Sequence, residues 1–374
     1  MTPEQIRTFR ERRGWSQVRL AVELGTDKYT VCRWETGRQK VSPYYAEQLY
    51  LLFKSEIEKE KEGGTEMDRL RRGLVGLAVG TFAGIGPDML NSIARVAING
   101  CWHELNQDIK KTEQVLLLLH PALINAAVSG QNKKERETAV SLAIESCFLR
   151  SLVEKHKLNP DGCKFFSAEA LQLSTLTKEP VIRSAALMYR AYSLWDEPES
   201  SIALYKRSLA VLGDTDSILR SDVLNDMAKE YSLLKDERNA LSCIEQAMKY
   251  YPKNPERDIA YNYADCPLSL MYQWNAKAYM NLGRLQEAEQ ELLKSENANP
   301  TRRGSCENKV LLAELAIKKN DLEFFADSLS IGVREAIDIG SQHRYTIAKT
   351  AFESIPDRWK KEQRIIELGM LFQR

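Results

Sequence analysis

Residues 16–37 read SQVRLAVELGTDKYTVCRWETG, and the order of caps, breakers and apolar residues in this run decides how the chain begins. Ser16 is placed to N-cap a short helix whose apolar side is Leu20, Ala21 and Leu24. Gly25 then closes that helix, because glycine enters a left-handed turn at the least steric cost. Asp27 caps a second helix, which buries Val31 and Trp34 and turns Lys28, Tyr29, Thr30 and Arg33 outward.

Working outward, Ile6, Phe9 and Trp15 supply an earlier helix that packs on this pair. Ser42 and Pro43 are an N-cap and first-turn proline for a later helix carrying Ala46, Leu49, Leu52 and Phe53. Two short helices around a tight turn are the arrangement in which one helix enters the DNA major groove. The run resembles the helix-turn-helix of the lambda-repressor/Cro-like (XRE) family. The matching residues are Ser16-Gln17, Leu20-Ala21, Leu24-Gly25, Thr30-Val31 and Arg33-Trp34-Glu35 followed by Gly37, within a likeness that extends from about Ile6 to Phe53. The resemblance implies that Gln17 and Thr30 hold phosphates, with Arg38 again on the DNA backbone. Lys28, Tyr29 and Arg33 are the candidates for base edges. Arg33 has alternative placements, paired with Glu35 or against a phosphate. Tyr29 either meets a thymine methyl or covers the turn.

Charge is distributed to match. Residues 1–54 carry ten Lys/Arg against six acids, leaving −3 for the remainder of a 374-residue chain whose net charge is +1. A modest basic head of this kind needs a partner copy for tight binding, so a homodimer on a palindromic operator of double-stranded DNA is expected. The seven cysteines are dispersed with no C-x-x-C pair, which points to reduced thiols in a cytoplasm. The four histidines show no metal-ligand spacing, so no metal or cofactor is expected. The chain begins directly with the first helix of the module, so no export signal is expected. Residues 74–85, LVGLAVGTFAGI, are apolar but shorter than the ~20 residues that cross a bilayer as a helix, and no membrane partner is expected.

Residues 55–64, SEIEKEKEGG, read as the solvated end of a helix and a hinge. Beyond them helical spacing dominates, broken at Gly130-Gln131-Asn132, Asn159-Pro160 and Glu179-Pro180. Three stretches share a skeleton of small residues, an aromatic and a terminal proline. The first has Tyr189, Tyr192, Ser201, Tyr205 and Ser208; the second has Ala228, Tyr231, Ala240, Ile244, Ala247 and Pro252; the third has Ala276, Tyr279, Gly283, Ala288, Leu292, Ser295 and Pro300. These positions resemble the tetratricopeptide (TPR) repeat, a hairpin of two helices about 34 residues long. A degenerate unit is placed over residues 307–333, with Ala326 and Ser330 in its second helix. The expected organisation is therefore all-α: an N-terminal helix-turn-helix DNA-binding bundle at 1–56, a linker and apolar segment at 57–110, and a TPR-like α-solenoid at 111–374.

One such hairpin cannot bury its own apolar face, whereas stacked hairpins wind into a superhelix with a concave inner surface. Carrying over the family's inward positions places Arg183, Arg190, Asn225, Lys229, Gln273, Lys277 and Asn281 on that surface. Amides and cations there suit an extended peptide backbone and a carboxylate. No G-x-x-x-x-G-K-[ST], G-x-S-x-G or H-E-x-x-H pattern occurs, and an enzyme is not expected. A head of this type on a repeat body resembles the peptide-sensing transcription regulators called RRNPP, and the resemblance implies a short signalling peptide, as in quorum sensing, that alters dimer geometry. The alternatives are a TPR scaffold for a protein tail, tethered to DNA, and a ligand-free dimeric repressor.

Overall fold

The computed structural model describes residues 3–13, 15–24, 26–39, 41, 45, 48–49, 52–53, 87–105, 108–129, 132–215, 217–264, 266–298 and 300–373. Gly25, Ser42, Pro43, Ala46, the charged run at 55–64 and the apolar run at 74–85 lie outside the described residues, as does the expected boundary at 56/57. The chain divides into two compact units, residues 1–73 and 74–374. No strand occurs among the described residues, so the all-α class holds.

In the first unit, α1 (Pro3–Arg12), α2 (Gln17–Glu23) and α3 (Lys28–Glu35) enclose a small core. Ile6, Phe9, Leu20, Val31, Leu49 and Phe53 are fully buried there, with Trp34 at 1% exposure. Aromatic contacts tie the residues after α3 to the helices, Phe53 to Phe9 at 5.7 Å and Tyr45 to Trp34 at 4.9 Å between ring centroids. Ser16 Oγ accepts from the Arg19 amide at 3.1 Å, the expected cap of α2. A core this small is reinforced by an ion pair: Arg10 Nε lies 2.6 Å from Glu35 Oε1, with the two side chains 9% and 3% exposed. Arg10 also donates to the Trp15 carbonyl at 2.8 Å, so one guanidinium joins α1, the following turn and α3.

The second unit opens with α4 (Pro87–Glu104), α5 (Ile109–Ser129), α6 (Lys133–His156) and α7 (Pro160–Leu173). Hairpins follow: α8 (Pro180–Tyr192) with α9 (Pro198–Leu212), and α10 (Ile218–Leu233) with α11 (Glu237–Tyr250). After the short α12 (Tyr261–Ala264) come α13 (Leu268–Leu282) with α14 (Leu285–Asn297), α15 (Arg302–Lys319) with α16 (Leu322–Asp338), then α17 (Gln342–Glu353) and α18 (Gln363–Gly369). Helix α4 packs on α5 and α6, so this unit already includes residues that the sequence assigns to a linker.

Each hairpin packs on the next, first helix to first helix and second helix to the following first helix. Small side chains let them approach: Ala228, Ala240, Ala247, Ala276, Ala288 and Ser295 are completely buried. Five turns share one construction. Leu158, Lys235, Gly283, Asn320 and Gly340 have φ between +59° and +81°, and the next amide donates to the carbonyl five residues back, as Asp236 does to Tyr231 and Arg284 to Tyr279. Helix α17 also touches α6, so the end of the stack meets its beginning.

Candidate functional site

The outward face of α3 rests on its cap. Asp27 accepts from the Thr30 amide at 2.9 Å and from the Thr30 hydroxyl at 2.7 Å. The hydroxyl and amide of Thr30, then the charge of Arg33, hold the Asp27 carboxyl below its usual range. Val31 and Trp34 face the core, while Lys28, Tyr29, Arg33 and Arg38 are exposed, Tyr29 at 77%. Arg33 reaches Thr30 Oγ1 at 3.2 Å. Its alternative pairing with Glu35 does not form, because Glu35 is taken by Arg10 and by the Gln17 amide, whose Nε2 lies 2.9 Å away. Gln17 thus carries a side-chain bond within the bundle, and Thr30 belongs to the cap. Lys28, Tyr29, Arg33 and Arg38 make the open basic and aromatic face.

A second site lies inside the other unit. Two adjoining hollows, both open to solvent, share the wall formed by Lys155, Trp274, Glu307 and Arg344. Arg344 sits where α17 meets α6. Its Nη1 lies 3.0 Å from His156 Nδ1, 188 residues away in sequence, and its Nη2 pairs with Glu307. Since the guanidinium must donate, Nδ1 accepts and the proton of this imidazole is assigned to Nε2. Ser341 Oγ lies 3.1 Å from the same nitrogen. Burial first, then the charges of Arg344 and Arg303, pushes the His156 pKa well below its usual value, and burial takes that of His343 to about 3. Burial works against the charge of Glu307, but Arg344, Arg303 and Lys155 outweigh it and hold that carboxyl low. Lys155 is drawn down to about 7, chiefly by burial and then by Lys229 and Arg344 against the pull of Glu307.

The seven carried-over positions distribute unevenly around these hollows. Gln273 and Lys277 line one hollow. Gln273 is fully buried and donates to Ser295 Oγ and the Gly304 carbonyl, while Lys277 Nζ lies 2.5 Å from Glu314. Lys229 sits 5.4 Å from the Trp274 ring and 5.8 Å from that of Tyr192, beside Glu230. Asn225, 1% exposed, is not on an open surface: its amide donates to Asn275 Oδ1 at 2.7 Å and clamps α10 to α13. Asn281 donates to Ser232 between the same two helices. Arg190 caps the carbonyl of Lys164 at 3.1 Å, and Arg183 is exposed away from the lining of either hollow. Sequence reasoning missed Lys155, His156, Glu307, Arg303 and Arg344, whose proximity depends on how the stack closes.

His120, Cys147 and Glu169 are the three groups among the described residues whose ligand atoms come within 4.8 Å of one another. Hydrogen bonds account for them: His120 Nε2 lies 3.1 Å from Glu169 and Nδ1 lies 2.8 Å from Ser146 Oγ, and the Cys147 thiol donates to Glu169 at 3.5 Å. All seven cysteines are free thiols. Burial pushes Cys101 and Cys306 up to about 12, which suits packing more than nucleophilic chemistry. Among the described residues no helix is long and apolar enough to cross a membrane.

A family model described as a helix-turn-helix domain matches residues 4–50. A search of curated proteins finds no match to the chain. The matched span covers α1 to α3 and the buried Leu49 of the same core. The N-terminal unit is therefore a helix-turn-helix domain, and it marks the chain as a DNA-binding regulator.

Proposed function

We propose that this regulator responds to a ligand, and that the ligand occupies the inner cleft of its helical body. The observation that carries the reading is the shared wall of the two hollows, where α6, from the start of the stack, meets α15 and α17 from its end. A molecule seated there contacts both ends of the stack and favours one curvature over another, which is what a ligand needs in order to shift a conformational equilibrium.

In this reading the hairpins are TPR-like repeats, the ligand is a short signalling peptide as in RRNPP-type regulators, and the protein acts as a cytoplasmic homodimer. Two helix-turn-helix heads about 34 Å apart fit the half-sites of a palindrome, and a ligand-driven change in the bodies spoils or restores that fit. The support is the stacking of the hairpins, the two hollows, and the cation and amide groups of Lys155, Gln273 and Lys277 at their walls. No catalytic step is assigned to the chain.

The test is native mass spectrometry of the protein purified from its own host, followed by DNA binding before and after any bound species is stripped by unfolding and refolding. The reading expects a bound species whose removal changes affinity for operator DNA at least fivefold. Equal affinity of loaded and stripped protein, or a protein that carries nothing and ignores host extract, contradicts it.

A further inference from the structure

At the seam between α6 and α17, three cationic side chains face one carboxylate. Lys155, Arg303 and Arg344 all act on Glu307, and Arg344 pairs with it directly. The other acids lining the first hollow, Asp222 and Asp226, have a cation of their own: Tyr205 donates to Asp226 at 3.0 Å, and the charge of Lys229 acts on both. Arg344 is 4% exposed and lines both hollows, yet its Nε has no hydrogen-bond acceptor among the described residues. A buried guanidinium nitrogen left without an acceptor is costly, and an entering anion removes that cost. The Lys155 ammonium bonds to the Tyr192 hydroxyl and has further donors to give. Around this cationic floor the walls are apolar: Leu152, Met188 and Leu270 in one hollow, Val310, Leu311 and Ile347 in the other.

We propose that this floor binds a carboxylate carried on an apolar chain, gripped by Lys155 of α6 and Arg344 of α17, with Arg303 alongside. The proposal rests on the reading of the cleft as the ligand site and names the chemistry that fits it. The carboxylate accepts from the ammonium and from the orphaned Nε, both charge-assisted bonds. Its apolar chain lies along the Leu152 or the Val310 side. Because its two grips come from opposite ends of the stack, the bound carboxylate latches those ends together. A short peptide's C-terminus and a free carboxylic acid share this chemistry.

The test is isothermal titration of the full chain with octanoate, octanamide, inorganic phosphate, and an N-acetylated tetrapeptide of alternating alanine and leucine as its free acid and as its C-terminal amide. Octanoate or the peptide acid is expected to bind at least tenfold more tightly than its amide. Lys155→Met is expected to weaken that binding at least tenfold, and Arg344→Lys, which keeps the charge at the seam but removes the Nε donor, to weaken it as well. Tighter binding of the peptide acid than of octanoate assigns the site to a peptide terminus, and the reverse order to a free acid; either supports the carboxylate. Equal binding of acids and amides, binding of phosphate in preference to both acids, undiminished binding by folded Lys155→Met and Arg344→Lys, or no binding by either acid overturns it. DNA affinity measured with and without the bound acid separates the two readings. Binding that leaves DNA affinity unchanged sinks the ligand response and spares the site, whereas a DNA response to amides and acids alike sinks the site alone.

Discussion

Arg10 and Glu35 are 25 positions apart in sequence and nearly enclosed in a bundle whose apolar core is small. Neither charge was legible as a pair in the sequence, because an ion pair between helices has no local spacing. The pair raises the Arg10 pKa chiefly through its hydrogen bond to Glu35, against burial. Removing one partner strands the other, a loss of ~3–5 kcal/mol for buried pairs. Arg10→Met is therefore expected to unfold the first unit at markedly lower denaturant, measured by chemical denaturation of the full chain. A midpoint within error of the parent contradicts this. Lys155 gives a second expectation. It is faced by Tyr192 from α8, Lys229 from α10, Glu307 from α15 and Arg344 from α17, with Cys163 from α7 close enough to act on it. Its pKa is about 7 in the fold against an ordinary 10.5, so the unfolded chain binds more protons between those values. This group's contribution to stability is fully present above 10.5 and is lost as pH falls to about 7. Melting temperatures of the parent and of Lys155→Met should converge as pH rises through that window, and a constant gap contradicts the burial of this amine.

At the scale of elements, what the sequence showed was what lies within a few residues. Ser16 and Asp27 cap as read, each accepting from an amide three positions on, and the structure adds Asn132, Asn159, Asp236 and Asp321, which accept from an amide two or three positions on. The turns were only half legible. Gly283, Asn320 and Gly340 advertise a left-handed residue, whereas Leu158 and Lys235 adopt the same φ with no sequence cue. A left-handed non-glycine residue costs roughly 1–2 kcal/mol, offset in part by the freedom glycine has when unfolded. Lys235→Gly is thus expected to stabilise the second unit by up to about 1 kcal/mol in thermal melts; a lower melting point contradicts the shared turn. Helix α3 carries the expectation for DNA. Arg33→Ala should cost ~1–3 kcal/mol of specific binding if its guanidinium meets a base edge. An affinity unchanged on the selected operator removes it from that role.

At the scale of the whole molecule, the hairpin stack was legible in Ala228, Ala240, Ala276 and Ala288, because close helix packing demands small side chains at repeated positions. The cleft was not. Of the family positions, Gln273 and Lys277 do line one hollow, but Asn225 is buried in a contact between helices. The groups that line the cleft, His156 and Arg344 among them, converge from positions 188 apart only once the stack is complete. The basic groups of this face, Lys28 and Arg33 on α3 with Arg38 after it, are modest for a lone module, so a dimer is the expected binding form.

The most direct measurement selects DNA from a random pool with the full-length protein and repeats the selection with a variant carrying Lys28→Ala, Tyr29→Ala and Arg33→Ala together. The account predicts an enriched palindrome whose half-sites lie about one helical turn apart, and its loss with a variant that melts as the parent does. Absence of any enriched sequence, or the same palindrome enriched by the folded variant, contradicts the claim that the open face of α3 reads DNA.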